Sequence, residues 1–249
     1  MQQAYRVLRV VAAAQTIRMV LMLRPSEIML SELYTACTTL NSETSRGIKA
    51  VVLDFQPGTT PASQEEATVA DAVFQKACTA VQTIAAPVLA VVRGNLSETA
   101  SVLMQVADLT LVAHDAVLPF QTMTPIAGHD KQEGHRDQDQ PVHQTLTGEQ
   151  ALRLGLINWS VPVHQIDSEM ERILDMLREQ SAITLRLVKT SLHLEASQRL
   201  PPGKEGSATR LAALEQINEF YLSTVMQTAD ASEGLHAFLE KRKPQWQNR

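Results

Sequence analysis

The sequence has little cysteine, no excess of basic charge and no long uncharged apolar run, and each shortage removes a class of function. Only Cys37 and Cys78 occur in 249 residues. Both fall in stretches that read as helices, with no CxxC spacing and no histidine nearby. That excludes a disulfide framework and a structural zinc site, and it suits a reducing cytoplasm. The net charge of −5 gives no basic footprint, so nucleic acid is not an expected partner. Arg6, Arg9 and Arg18 interrupt the apolar N-terminal segment. No stretch approaches the roughly 20 uncharged residues of a membrane span, and no secretory leader pattern is visible. There is no G-x-S-x-G elbow for a serine triad and no internal repeat.

What is present fits one medium domain with a substantial core: 44% of residues are hydrophobic and 20% charged. Its first half alternates strand-like and helix-like segments. Tyr5 to Ala12 and Ile17 to Leu23 read as strands, and Arg24-Pro25 ends the second. Ser31 is placed to cap a helix running to about Glu43, with Leu33, Cys37 and Leu40 on one face. Ile48 to Phe55 and Pro87 to Val92 have the pattern of buried strands. Ser63 with Glu66 forms a capping-box signature for a helix to about Ile84. A helix from about Ser97 to Ala107, with Ser97 and Glu98 placed to cap it, and a strand from Leu109 to Ala113 follow. Strands separated by helices of this length predict β-α-β crossovers and an α/β architecture.

Residues 124–145 are polar and without apolar period, and they read as a solvated loop. His129, His135 and His143 lie there beside Asp130, Asp137 and Asp139, but the spacing matches no regular metal site, so no metal is expected. His114 and Asp115 are neighbours whose side chains point apart if they lie on a strand. Beyond the loop the chain reads as helices at about 148–154, 165–179, 182–198, 207–227 and 230–242, with Pro201-Pro202-Gly203 as a break.

Five strings, in order, resemble those of the enoyl-CoA hydratase/isomerase (crotonase) superfamily: IKAVVLDF, AAPVLAVVRGN, VADLTLVAHDAVL, TGEQALRLGLINWSVP and GLHAFLEKRKPQW. The resemblance covers nearly the whole chain. It implies a crotonase-like spiral of β-β-α units over residues 1–160, and a C-terminal helical trimerisation region over 161–249 within the same unit. It also implies a homotrimer or hexamer and a site that stabilises a thioester enolate with two backbone N–H groups.

Carried over residue by residue, the resemblance assigns one oxyanion donor to Thr99, inside Glu98-Thr99-Ala100 where the family commonly has three glycines. The other falls at Ala62 or a neighbour, next to Pro61, which has no N–H to give. The two hydratase glutamates of the family correspond to Val102 and Thr122, and neither side chain can hold a water for base-assisted attack or return a proton. Ser101, Gln121 and Thr122 remain as uncharged groups that orient a substrate. Phe238 and Lys241 match a family aromatic and lysine that contact coenzyme A; a buried aromatic beside helix-terminal cations is the plainer alternative.

Three functions follow from the resemblance. One is a divergent acyl-thioester protein, taking acyl-CoA or acyl carrier protein with coenzyme A or phosphopantetheine as the handle and no further cofactor. Its reaction would be isomerisation, decarboxylation or dehydration in polyketide or secondary metabolism. Another is a non-catalytic subunit that supports a partner enzyme. The third is a ligand-binding trimer without turnover.

Overall fold

The computed structural model describes residues 5–13, 15–40, 47–57, 70–122, 142–197, 212 and 214–248, with backbone alone at 121–122, 142–143 and 194–197. Six strands form the main sheet: β1 (Arg9–Ala13), β2 (Thr16–Met22), β3 (Ala50–Gln56), β4 (Val88–Val92), β5 (Leu109–Ala113) and, at the far edge, β8 (Trp159–Val161). The β1–β2 pair is an antiparallel hairpin and every other pair is parallel. Parallel neighbours need crossovers. From β2 to β5 these are α1 (Glu27–Leu40), α2 (Asp71–Gln82) and α3 (Glu98–Gln105), and the chain from β5 to β8 passes through the elements described next. All residues of β4 are buried and β3 is buried up to Gln56, as a sheet covered on both faces requires.

A second, two-stranded sheet pairs β6 (Val117–Thr122) with β7 (Val142–Thr147), antiparallel, with Val117 opposite Thr147 and Thr122 opposite Val142. The helices of the second half include α4 (Gly148–Arg153), α5 (Ile166–Arg178), α6 (Ala182–Ser197) and α7 (Ala229–Glu240). The chain is also helical at 214–220 and passes into a π turn at Tyr221–Val225.

Two expectations need correction, and one conditional reading is decided. Ser31 does not cap α1 but lies inside it. The cap is Ser26, whose Oγ accepts the Met29 N–H at 3.3 Å, because Pro25 has already stopped the preceding strand. The stretch 124–145 is not loop to its end, since 142–145 belong to β7. His114 and Asp115 occupy the turn between β5 and β6 rather than a strand, and His114 Nδ1 lies 2.8 Å from Ser160 Oγ. The capping box at Ser63 and Glu66 lies outside the described residues, as do His129 and His135.

Buried charges join the helical region to the sheet. Lys189 on α6 pairs with Asp108 at 2.7 Å, and Asp108 also accepts the Val88 N–H at 2.7 Å where β4 begins. Lys49 donates to the carbonyl of Arg178, the last residue of α5, at 2.6 Å. Asp230, in the first turn of α7, accepts the Ser181 hydroxyl and the backbone N–H groups of Gln247 and Asn248. The tail after α7 is thereby held against the start of α6. Among the described residues, no helix is long and apolar enough to cross a membrane.

The start of α4 is packed so tightly that only glycine fits. A Cβ on Gly148 would lie 2.2 Å from the Ala113 carbonyl oxygen, backbone that cannot swing aside. Gly148→Ala is therefore expected to cost about 1–3 kcal/mol in urea unfolding, the usual penalty of overpacking; an unchanged midpoint would refute this account of the joint.

Both cysteines are buried in the helix layer, and burial pushes their thiols up, Cys37 to about 12 and Cys78 to about 11. Between an ordinary thiol value near 9 and these raised values, the unfolded chain binds fewer protons than the native one. This contribution to stability therefore falls as pH rises through that window. A thiol reagent at pH 8 is expected to leave the native protein unlabelled and to modify both cysteines in guanidinium; fast native labelling would count against their burial.

Candidate functional site

The candidate site lies where β3 and β4 end and α3 begins. Ser97 is the N-cap of α3, and its Oγ accepts the Ala100 N–H at 3.3 Å. Helix geometry leaves the first N–H groups without intrahelical partners. The cap satisfies Ala100, so Thr99, one residue earlier, keeps its N–H outside both the cap and the helical ladder, at the positive end of the helix dipole. Thr99 is half-buried and Glu98 is exposed.

The loop that delivers this helix is tied at three consecutive residues. The Leu96 N–H donates to Val117 O at 3.0 Å, and the Ser97 N–H to Leu23 O at 3.1 Å. The Val117 N–H donates to Asn95 Oδ1 at 2.9 Å. One turn into α3, the wholly buried Ser101 gives its hydroxyl proton to Pro119 O on β6. Ser101, named from the sequence as a substrate-orienting group, is thus engaged in joining helix to strand.

At the base of this loop stands a buried carboxylate that the sequence reading did not single out. Asp54, with no exposed side-chain surface, accepts from Arg18 of β2, from Arg93 after β4 (Nε, 2.9 Å) and from Gln56. Parallel pairing sets Asp54 level with Val20 on one side and Val91 on the other, which brings Arg18 and Arg93, each two residues away, onto the same face. The rest of the Arg93 fork reaches Asp167 in the first turn of α5, at 2.7 and 3.2 Å. The hydrogen bond from Arg93 holds the Asp167 carboxyl below its usual range, against the opposing effect of burial. The available signal was a charged residue inside an otherwise apolar, fully buried strand, which demands a partner.

The remaining sequence-named residues are scattered. Val102 is half-buried on α3, one residue beyond Ser101. Thr122 ends β6, and only its backbone is described. Ala62 lies outside the described residues.

Phe238 is not a buried aromatic: it is 80% exposed on α7, with Leu235 and Leu239 also exposed beside it. Lys241 ends α7 in the left-handed conformation, at φ 53°. The Lys241 N–H returns to Phe238 O at 3.3 Å and the Arg242 N–H to Ala237 O at 3.0 Å, the double bond pattern of a Schellman turn. Arg242 is committed to Glu233 and Glu240, each at 2.6 Å, and with the Gln245 N–H it draws the Glu233 carboxyl down to about 2. Lys241 makes no ion pair among the described residues. Among those residues, no group of three or more His, Cys, Asp or Glu side chains is placed to hold a metal ion.

Residues 141–249 match the family model described as enoyl-CoA hydratase/isomerase. Among solved structures, the chain is similar to an enoyl-CoA hydratase from Mycobacterium smegmatis. The two share 20% identity over 96% of this chain and 98% of that one, with a TM-score of 0.68. It is similar in the same way to an enoyl-CoA hydratase from Bacillus anthracis (20% identity, 98% and 100% covered, TM-score 0.69) and to one from a Polaromonas species (18% identity, 96% and 99% covered, TM-score 0.71). The chain thus has the fold of these enoyl-CoA hydratase structures over nearly its full length, and its C-terminal part, residues 141–249, matches the enoyl-CoA hydratase/isomerase family model.

Proposed function

We propose that this protein binds an acyl thioester, carried on coenzyme A or on the phosphopantetheine of an acyl carrier protein, and polarises its carbonyl without hydrating an enoyl group. The observation that carries the reading is the start of α3. In a crotonase-fold chain, its N-cap is satisfied by Ser97 and Ala100 while the Thr99 N–H is left for an incoming oxygen. A preorganised donor of this kind is worth about 10²–10³ in rate when negative charge develops on that oxygen. The second donor of the pair, assigned to Ala62 by resemblance, completes the proposal. Hydration needs a base for water and an acid for the α-carbon; Val102 and Thr122, at the positions of the family glutamates, provide neither. Isomerisation, decarboxylation or dehydration asks less of the site, because enolate stabilisation is its main demand.

A supporting-subunit role in a pathway of secondary metabolism is the second reading. It is favoured by the commitment of Ser101 and Asn95 to structural bonds, which leaves few polar groups for chemistry. Exposed Leu235, Phe238 and Leu239 on α7 support burial of that face against another copy in a trimer or hexamer.

Lys241 supports the coenzyme A handle. Gly155 closes α4 with the same Schellman turn that Lys241 closes on α7, also at positive φ. The equivalent helix end in α4 uses glycine, whereas Gln15 and Asn248 share positive φ with Lys241. A lysine in the left-handed region costs about 1–2 kcal/mol, and a contact made by its ammonium is a reason to keep it at this helix end.

Lys241→Gly is therefore expected to raise stability by about 1 kcal/mol while weakening coenzyme A binding several-fold by calorimetry. Stabilisation with unchanged affinity would remove Lys241 from the site. Thr99→Pro deletes one N–H at a helix position that tolerates proline. It should leave the melting temperature nearly unchanged and abolish the preference for acetoacetyl-CoA over free coenzyme A. If the wild-type protein gives no heat with either ligand, nor with an acyl carrier protein, the thioester reading fails.

A further inference from the structure

We infer that Asp54 is a positioning residue that sets the Thr99 N–H of the thioester site through two separate routes; this rests on the thioester reading above. The first route enters the loop at its start. Asp54 accepts from Arg93 Nε at 2.9 Å, and the Arg93 backbone N–H donates to Phe55 O at 3.3 Å, so side chain and main chain of the residue before Gly94 are both tied to β3. The second route reaches the end of the same loop. Asp54 accepts from the Gln56 side chain. The Gln56 carbonyl takes the Leu23 N–H at 3.1 Å, and the Leu23 carbonyl takes the Ser97 N–H at 3.1 Å. Ser97 is the residue whose hydroxyl caps α3.

Loop 94–97 is thus clamped at both ends by groups that meet on one buried carboxylate. A donor aimed at a carbonyl oxygen must be held to within about half an ångström to act. The first turn of α3 has no glycine, and the loop before it has little slack at its start, where Leu23 Cδ1 stands only 3.2 Å from where a Cβ on Gly94 would lie. Asp54 touches no substrate in this account. It acts by fixing the line along which α3 leaves the sheet.

The test is isotope-edited infrared spectroscopy of acetyl-coenzyme A labelled with ¹³C at the thioester carbonyl, bound to the full-length protein. A hydrogen-bonded carbonyl absorbs at lower frequency than the free ester. Wild type is expected to show this downshift, and Asp54→Asn to lose most of it while binding free coenzyme A within about twofold of wild type. Arg93→Met and Gln56→Leu each leave Asp54 with two of its three partners, so they keep the test open should Asp54→Asn fail to fold. Each should lose part of the downshift, and the double variant most of it. Asp167→Asn, which breaks only the outer half of the Arg93 fork, should keep it. A full downshift in the folded Arg93→Met/Gln56→Leu protein overturns the positioning role and leaves the thioester reading standing. No downshift in wild type overturns the thioester reading, and the positioning role with it.

Discussion

A carboxylate with no access to water, set in the third strand of a parallel sheet, is the constraint on which the rest of this molecule depends. An isolated buried charge is too costly to survive, so Asp54 must be met by cations with good geometry. Arg18 and Arg93 come from the strands on either side, and Asp167 on α5 takes the remainder of the Arg93 fork. Loss of a partner from such a group typically costs about 3–5 kcal/mol. The sheet therefore has one tolerated register at β2, β3 and β4, and α5 has one place to dock. This fastening also leads, through Arg93 and Gln56, to the loop that presents the N-terminus of α3.

The same device recurs where the C-terminal helices meet the sheet and one another. Lys189 with Asp108, Lys49 with the last carbonyl of α5, and Asp230 with Ser181 and the chain tail are all buried polar joints between elements far apart in sequence. Apolar packing alone is permissive about sliding, whereas a buried charge is satisfied in one arrangement. The helical region is therefore held in a fixed relation to the site, which matters if Phe238 and Lys241 on α7 are to meet a ligand.

Much of the fold was legible in the residues. Fully apolar β4 and nearly apolar β3 were read as buried strands, and the Ser97 cap was read as the start of α3, because local period and capping chemistry report local structure. The reading failed where the signal was weak or ambiguous. Strand β6 carries Pro119, which argues against a strand, and its partner β7 follows a long polar segment, so the second sheet left no mark. Strand β8 has three residues, too few to show a period. Ser31 and Ser26 both have the chemistry of a cap. Pro25 decides for Ser26, since the helix begins as soon as the preceding strand has been stopped.

The sequence by itself determined the order of elements, the capped start of α3 and the residue types at 99, 102 and 122. Each of these is a property of neighbouring residues or of a string. Only the tertiary structure decided that Asp54 meets Arg18, 36 residues before it, and Arg93, 39 residues after it, and that Arg93 goes on to Asp167, a further 74 residues along. No local period encodes those meetings. They follow from strand register, which is fixed by pairing across crossovers. Register therefore made the start of α3 more than a capped helix end, by clamping the loop before it to a buried charge.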